Sequence, residues 1–257
     1  MKTVSVSEQS LRRNISALPA LLCVIALVSG CSALPEDQKT AATDPYENAN
    51  RKIFAFNMAV DDYALEPAAK AYRQAAPEAV QKGIQNYVSW TGMPSTAVNS
   101  GLQGKFENAA LAGLTFFVNG LTFGFVDLME GEDRPEPEDF GQTLASAGMG
   151  EGPYLMVPFL GSHTARSLSG RAVDMIINPL GTFDAEAVET AQLATPVVSA
   201  VSFRAAFFDT INDVKYNSLD PYARTRSAYY QQRADLLRDN LPEQGDDLDE
   251  FETFFSE

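Results

Sequence analysis

The sequence predicts an all-α fold, with one helical domain over about residues 44–238. Three observations carry this. Apolar residues recur at spacings of three and four, no stretch alternates with the period of two that a half-buried strand requires, and proline and glycine punctuate the chain between the helical patterns. A chain of this length encloses one sizeable core.

The N-terminus reads as a leader. Lys2, Arg12 and Arg13 precede an apolar run from about Ala17 to Val28, the n-region and h-region of a secretory signal. The run ends in Leu27-Val28-Ser29-Gly30-Cys31, an aliphatic residue, two small residues and cysteine, which resembles the bacterial lipoprotein signal. That resemblance implies cleavage after residue 30 and a lipidated Cys31; Ser32, rather than Asp, after the cysteine implies passage to the outer membrane. Cys23 leaves with the leader, so no intramolecular disulfide can form in the mature chain. Residues 31–43 are small and polar and read as a flexible tether.

Removing Lys2, Arg12, Arg13 and Glu8 from the chain's 19 basic and 34 acidic residues leaves 16 and 33, a net charge of −17. Such a surface disfavours nucleic acid and does not attract anionic headgroups. Any membrane contact has to be apolar and anchored.

Asp44-Pro45 places an N-cap before a proline at the first helical position. From Tyr46, Ala49, Ile53, Phe56, Val60 and Tyr63 form one helical stripe, and Phe54, Met58 and Leu65 a second beside it. The wide apolar arc means contact on two sides, by core alone or by core plus lipid. Pro67 and Pro77 read as breaks, with a new helix from Glu78 that turns Val80, Ile84, Tyr87 and Val88 inward and gives way to a loop around Thr91-Gly92-Met93-Pro94. Asn108 to Val126 follows, nineteen residues without a charge.

As one helix this stretch would be about 28 Å long, near the thickness of a hydrocarbon core. Its three Leu, four Phe and two Val favour insertion by roughly 3 to 5 kcal/mol before its Asn, Gly and Thr are set against them. Asn119-Gly120 in the middle is a turn signal. The stretch is therefore one span, two short apolar helices meeting at Asn119-Gly120, or a buried core helix. Two helices bent there are expected, because a single span would put Glu107 and Asp127 on opposite sides of a bilayer, which nothing else in the chain requires.

After the charged loop 130–138, Glu138 to Leu144 opens a short helix ended by Gly148, Gly150 and Gly152. Residues 152–161 are apolar and bracketed by prolines, a poor central strand and a plausible extended or looped segment packed against something apolar. Ser162-His163-Thr164 reads as a helix start. Helices are expected over about 164–177 and 186–217, the latter interrupted at Pro196, and a last one from Asp220-Pro221 to Arg238. Residues 239–257 form an acidic tail, read as disordered or as a segment that folds on a basic partner.

The inventory for catalysis is thin. His163 is the only histidine, which excludes a multi-histidine zinc site. There is no Gly-x-Ser-x-Gly elbow, P-loop or dinucleotide fingerprint, and Glu138-Asp139, being adjacent, point to different sides of a helix. The sequence calls for no cofactor, no metal and no catalytic residue.

Several segments, in order, carry a resemblance over about residues 44–238. They are Asp44-Pro45-Tyr46-Glu47 with Asn50-Arg51, Phe54-Ala55-Phe56-Asn57, Pro67 to Tyr72, Asn99 to Gly104, Glu138 to Leu144, Gly150 to Tyr154, Pro158 to Gly161, Arg171 to Asp174 and Ser218 to Arg233. In these the chain resembles the MlaA family, also called VacJ. The resemblance implies a ring-shaped helical domain in the periplasmic leaflet of the outer membrane, with an amphipathic central channel. It implies phospholipids as cargo, a soluble periplasmic lipid carrier of the MlaC type and a trimeric porin as partners, and indirectly an inner-membrane ABC transporter. Misplaced phospholipid would leave the outer leaflet with no bond broken. The chain departs from the family at Thr115, where an arginine is usual, and at Ser167, where many members have aspartate.

Phospholipid passage needs one polar wall and one apolar wall. Phe54, Phe56, Phe116, Phe117, Leu121, Phe123 and Phe125 are the expected lipid contacts, and Arg51 and Asn57 the expected polar side. The alternative is a scaffold lipoprotein that organises porins without carrying lipid; a phospholipid hydrolase has little support.

Overall fold

The computed structural model describes residues 44–129, 131, 134–177 and 186–238. The expected signal peptide, Cys31, the expected tether and the acidic tail lie outside the described residues. What is described is mostly helical, with one two-stranded hairpin.

Asp44 closes the first turn, its Oδ1 accepting from the Tyr46 amide at 3.0 Å and from Asn50 Nδ2 at 2.9 Å. Helix α1 (Glu47–Val60) passes through a π-helical turn (Asp61–Leu65) into α2 (Glu66–Ala75). Pro67 therefore does not break the chain. It stands in the first turn of α2, where a missing amide donor costs little. The break comes at Ala76, which is extended (φ −86°, ψ 124°) before Pro77.

Helix α3 (Glu78–Leu102) runs on through Pro94, so the expected loop at 91–94 does not form, and Val80 is exposed rather than inward. After a turn at Gly104 (φ +80°), α4 (Phe106–Gly120) returns alongside it, with Trp90 against Phe116 and Ser100 against Asn108. A mid-helix proline costs about 3 kcal/mol in isolation, and packing along α4 offsets it.

Helix α5 (Phe140–Ser146) is capped by Asp139, whose Oδ1 accepts from the Gln142 amide at 2.8 Å. Strands β1 (Tyr154–Val157) and β2 (Gly161–Thr164) then pair antiparallel, Tyr154 opposite Thr164. The expected extended segment 152–161 is β1 and its turn, whereas Ser162-His163-Thr164, expected to start a helix, belong to a strand. Helix α6 (Ala165–Ile177) follows directly. Helix α7 (Glu186–Ala206) continues through Pro196; the interruption is at Phe207, before α8 (Phe208–Asn217) and α9 (Pro221–Arg238).

Burial divides the wide apolar arc of α1, Ile53 and Phe54 packing on the core while other residues of the arc stand open. Asn50 and Asp61 are buried and Asn57 half-buried, while Ala49 and Phe56 are exposed and Tyr63 keeps 88% of its surface. The inward face carries these polar residues beside Ile53 and Phe54, and the polar ones are put to use. Asn50 donates to Tyr154 O at 3.0 Å and accepts from the Met156 amide at 2.9 Å; Asn57 donates to Val157 O at 3.0 Å and accepts from the Phe159 amide at 2.9 Å. Seven residues along a helix and three along a strand both span about 10 Å, so two carboxamides satisfy the free edge of β1 in register.

A second polar assembly joins α3, α5 and α6. Asp174 accepts from Ser95 Oγ at 2.6 Å, Asn99 Nδ2 at 2.8 Å and the Phe140 amide at 3.0 Å, and Thr143 donates to Asn99 at 2.9 Å. Beside it α5 and α6 cross at glycines. A Cβ on Gly170 would stand 2.2 Å from the Gly141 nitrogen, so neither a methyl nor a shift of backbone is accommodated there.

The third assembly is ionic. Asp61, carried inward by the π-helical turn, accepts from Arg204 Nε and from Lys215 Nζ, both at 2.7 Å, and Lys215 also reaches Glu66 at 2.7 Å. Burial pushes Asp61 up, but the Arg204 and Lys215 hydrogen bonds outweigh it and hold the carboxyl below its usual range. Asp61, Asp62 and Glu66 are close enough together to suit a metal, yet Lys215 Nζ already sits among all three. The apolar core proper is small: Tyr154, Met156 and Tyr222, with Ile53, Phe54, Tyr229 and Tyr230 packed on them.

Candidate lipid-contact surface

Where α4 ends, Asn119 folds the chain back. Its carbonyl accepts from the amides of Thr122 at 3.0 Å and Gly124 at 2.8 Å; its side chain donates to Asp127 Oδ1 at 3.0 Å and accepts from the Leu128 amide at 2.8 Å. The expected bend at Asn119-Gly120 is present. The expected second helix is not: residues 121–126 are successive turns, with Phe123 (φ +52°) and Gly124 (φ +77°) left-handed. The chain then runs back along α4, since the Glu136 amide donates to Asn108 Oδ1 at 2.8 Å. Among the described residues no helix is long and apolar enough to cross a membrane.

Gly124 is required by Trp90. A Cβ on it would come within 2.6 Å of the Trp90 side chain, which also stacks on Phe116 (5.1 Å, 6°) and donates Nε1–H to Phe116 O at 2.8 Å. Phe125 stacks on Tyr87 at 5.2 Å. With α3's aromatics filling the space behind, the remaining side chains have nowhere to go but outward: Phe117, Leu121 and Phe123 keep 75%, 79% and 74% of their surface. Holding a non-glycine residue left-handed costs roughly 1–3 kcal/mol, and here it holds a phenylalanine ring in the open.

A second apolar tip lies at the hairpin, where Phe159 (φ +63°) is exposed and meets Phe56 edge-on at 5.2 Å. Sequence reasoning passed over Phe159 and Trp90. Pro158 with Gly161, and Asn119-Gly120, punctuate the two turns without showing which side chains they present.

The other expected contacts fall elsewhere. Phe54 packs edge-on against Tyr222 at 5.6 Å, within the core. Arg51 clamps Asp220 through two hydrogen bonds of 3.1 and 2.7 Å, and this pulls Asp220 down to about 2. Asn57 is committed to β1. Thr115, in place of the family's arginine, is buried with its hydroxyl unpartnered among the described residues. Ser167 Oγ accepts from the Thr164 amide at 2.9 Å and meets the Tyr229 hydroxyl at 2.8 Å. His163 is buried in β2, which pushes its pKa down.

Monomeric proteins rarely leave so many large apolar side chains open while burying amides and ion pairs, and an exposed apolar surface of this kind marks a contact with lipid or another protein. The comparisons with known proteins agree on a family. The model of the MlaA lipoprotein family matches residues 42–236. The intermembrane phospholipid transport system lipoprotein MlaA of Shigella flexneri is 32% identical over 230 residues, 83% of this chain and 86% of that one. An uncharacterised protein of Rickettsia bellii is 36% identical over 195 residues, 74% of this chain and 75% of that one. A solved structure from work on the structural basis for maintenance of bacterial outer membrane lipid asymmetry covers 76% of this chain and 100% of its own, at 32% identity and a TM-score of 0.67. On sequence and on fold alike, the chain belongs to the MlaA lipoprotein family.

Proposed function

We propose that the protein is the lipoprotein of an intermembrane phospholipid transport system, anchored through Cys31 and seated in the periplasmic leaflet of the outer membrane. There it takes misplaced phospholipid from the outer leaflet through an amphipathic channel and hands it to a soluble periplasmic carrier. A trimeric porin is its membrane partner and an inner-membrane ABC transporter the final recipient. The observation that carries this reading is the inverted polarity. Phe117, Leu121, Phe123 and Phe159 face outward while Asn50, Asn99, Asp61 and Arg204 are buried, an arrangement stable in a lipid leaflet and wasteful in water. The names of the relatives support the same reading.

A photoreactive residue at Phe117 or Phe123 in the full-length protein is expected to crosslink phospholipid in cells, and deletion of the protein to leave phospholipid on the cell surface. Lipid-free protein at both positions, together with an intact asymmetric membrane in the deletion strain, would sink the proposal and favour a porin scaffold.

A further inference from the structure

The bend at Asn119 closes through its own hydrogen bonds, but those bonds join the turn to itself and leave open which way it points relative to α3. Trp90 settles that. Its indole lies in the angle of the bend and meets the chain on both sides of it. On the outgoing side it stacks on Phe116 and donates Nε1–H to the Phe116 carbonyl at 2.8 Å, and a Cβ on Gly120 would stand 3.7 Å from its Cζ2, an ordinary contact. On the returning side a Cβ on Gly124 would stand 2.6 Å from the Trp90 Cβ and Cγ, closer than any side chain tolerates.

Trp90 ends a stripe of α3 that follows the returning turns. A Cβ on Gly83 would stand 3.4 Å from the Phe125 carbonyl, Tyr87 stacks on the Phe125 ring at 5.2 Å and 15°, and Trp90 abuts Gly124. Spacings of four and three put the three residues on one helix face. Between the bend and Gly124 stands Phe123, left-handed at φ +52°, its amide donating to the Gly120 carbonyl at 3.0 Å. A non-glycine residue stays in that region only where its surroundings over-determine it. Here the turn supplies one constraint and the indole, pressed on the next residue, supplies the other.

We infer that Trp90 is the positioning residue of the lipid contact. Wedged in the bend, it turns Phe117, Leu121 and Phe123 away from α3 and holds them toward the acyl chains of the leaflet. It acts through Phe116 and Gly124 and needs no lipid contact of its own. The inference rests on the reading of this ridge as the place where lipid is met; that reading does not depend on Trp90.

The test places a photoreactive residue at Phe123 in the full-length protein and compares the wild-type background with Trp90→Phe. Phenylalanine keeps a ring on Phe116 but is too small to fill the bend and has no N–H for the Phe116 carbonyl. Crosslinking to phospholipid in cells is expected to fall at least about fivefold as the strained turn relaxes. The Tm of the purified protein in detergent is expected to fall by no more than about 5 °C. Gly124→Ala strikes the same contact from the ridge side and is expected to lower crosslinking in the same way, which keeps the test open if Trp90→Phe unfolds. Crosslinking that is unchanged in both variants overturns the role of Trp90 and leaves the lipid contact standing. Crosslinking that falls only in a variant whose Tm drops by more than about 5 °C assigns Trp90 to general stability and overturns it too. Wild-type protein that crosslinks no phospholipid from position 123 or 117 removes the lipid-contact reading itself, and this inference with it.

Discussion

The cluster around Tyr154 and the ridge around Phe123 are built from the same kind of side chain, yet one is enclosed and the other open. Tyr154 meets Tyr222, Tyr229 and Tyr230 at 5.9–6.2 Å and is held from outside by Asn50. Phe117 meets Phe116 edge-on at 5.7 Å, and it stands open with Leu121 and Phe123. The difference lies in the backbone. A hairpin strand whose edge is satisfied by asparagines can be buried, whereas a run of tight turns that satisfies itself through Asn119 can stand at a surface. Stability should therefore reside in the first region and lipid contact in the second.

The sharpest division comes from truncating one aromatic in each. Tyr154→Ala removes a large core side chain and is expected to cost about 3–5 kcal/mol, lowering Tm by about 10 °C or more. Phe117→Ala is expected to leave Tm within about 2 °C and to weaken binding to phospholipid vesicles. A large loss of Tm in Phe117→Ala would erase the distinction. Arg204→Met, which leaves Asp61 buried with less compensation, is expected to cost about 3–5 kcal/mol in thermal unfolding.

Gly170→Ala drives a methyl into the Gly141 backbone and should cost about 3 kcal/mol, while alanine at Gly113 on α4, where nothing lies within 4 Å, should cost nothing measurable. The acid limb is a finer measure. Asp61 and Glu66 are held below the ordinary carboxylate pKa of about 4, so their stabilisation is complete above that value. It is lost as the pH falls through their lower folded-state values. A Tm profile flat from about pH 7 to 5 and falling below about 4 is expected, with a shallower fall in Asp61→Asn.

The smallest expected effect is the most pointed. Phe123→Gly releases a left-handed phenylalanine and should raise stability by up to about 1 kcal/mol while reducing vesicle binding. A stability gain without loss of binding would show that this ring is not a lipid contact.

Much of the helical order was legible in the residues, because each helix carries its own punctuation: Asp44-Pro45, Pro77-Glu78, Asp139 and Asp220-Pro221. The bend at Asn119-Gly120 was legible for the same reason. The polarity of α1 was not. Its wide apolar arc pointed to contact on two sides without showing which residues meet the core, and here Asn50, Asn57 and Asp61 had partners on the inner side while Ala49, Phe56 and Tyr63 stand open. Pro94 and Pro196 misled because the cost of a mid-helix proline is local, while the packing that offsets it comes from another helix. Of the expected lipid contacts, Phe54 could not be told from Phe56 without knowing where Tyr222 lies.

By itself, then, the sequence determined the helical class, the start of most helices, the negative net charge and the family. Those depend on near neighbours and on composition. Which face of each helix is buried, where β1 finds its edge partners, and why Phe123 stands open were decided only by tertiary structure. The first two depend on hydrogen bonds between residues a hundred or more positions apart, as between Asn50 and Tyr154 or Asp61 and Arg204, and the third on the packing of Trp90 from another helix against Gly124.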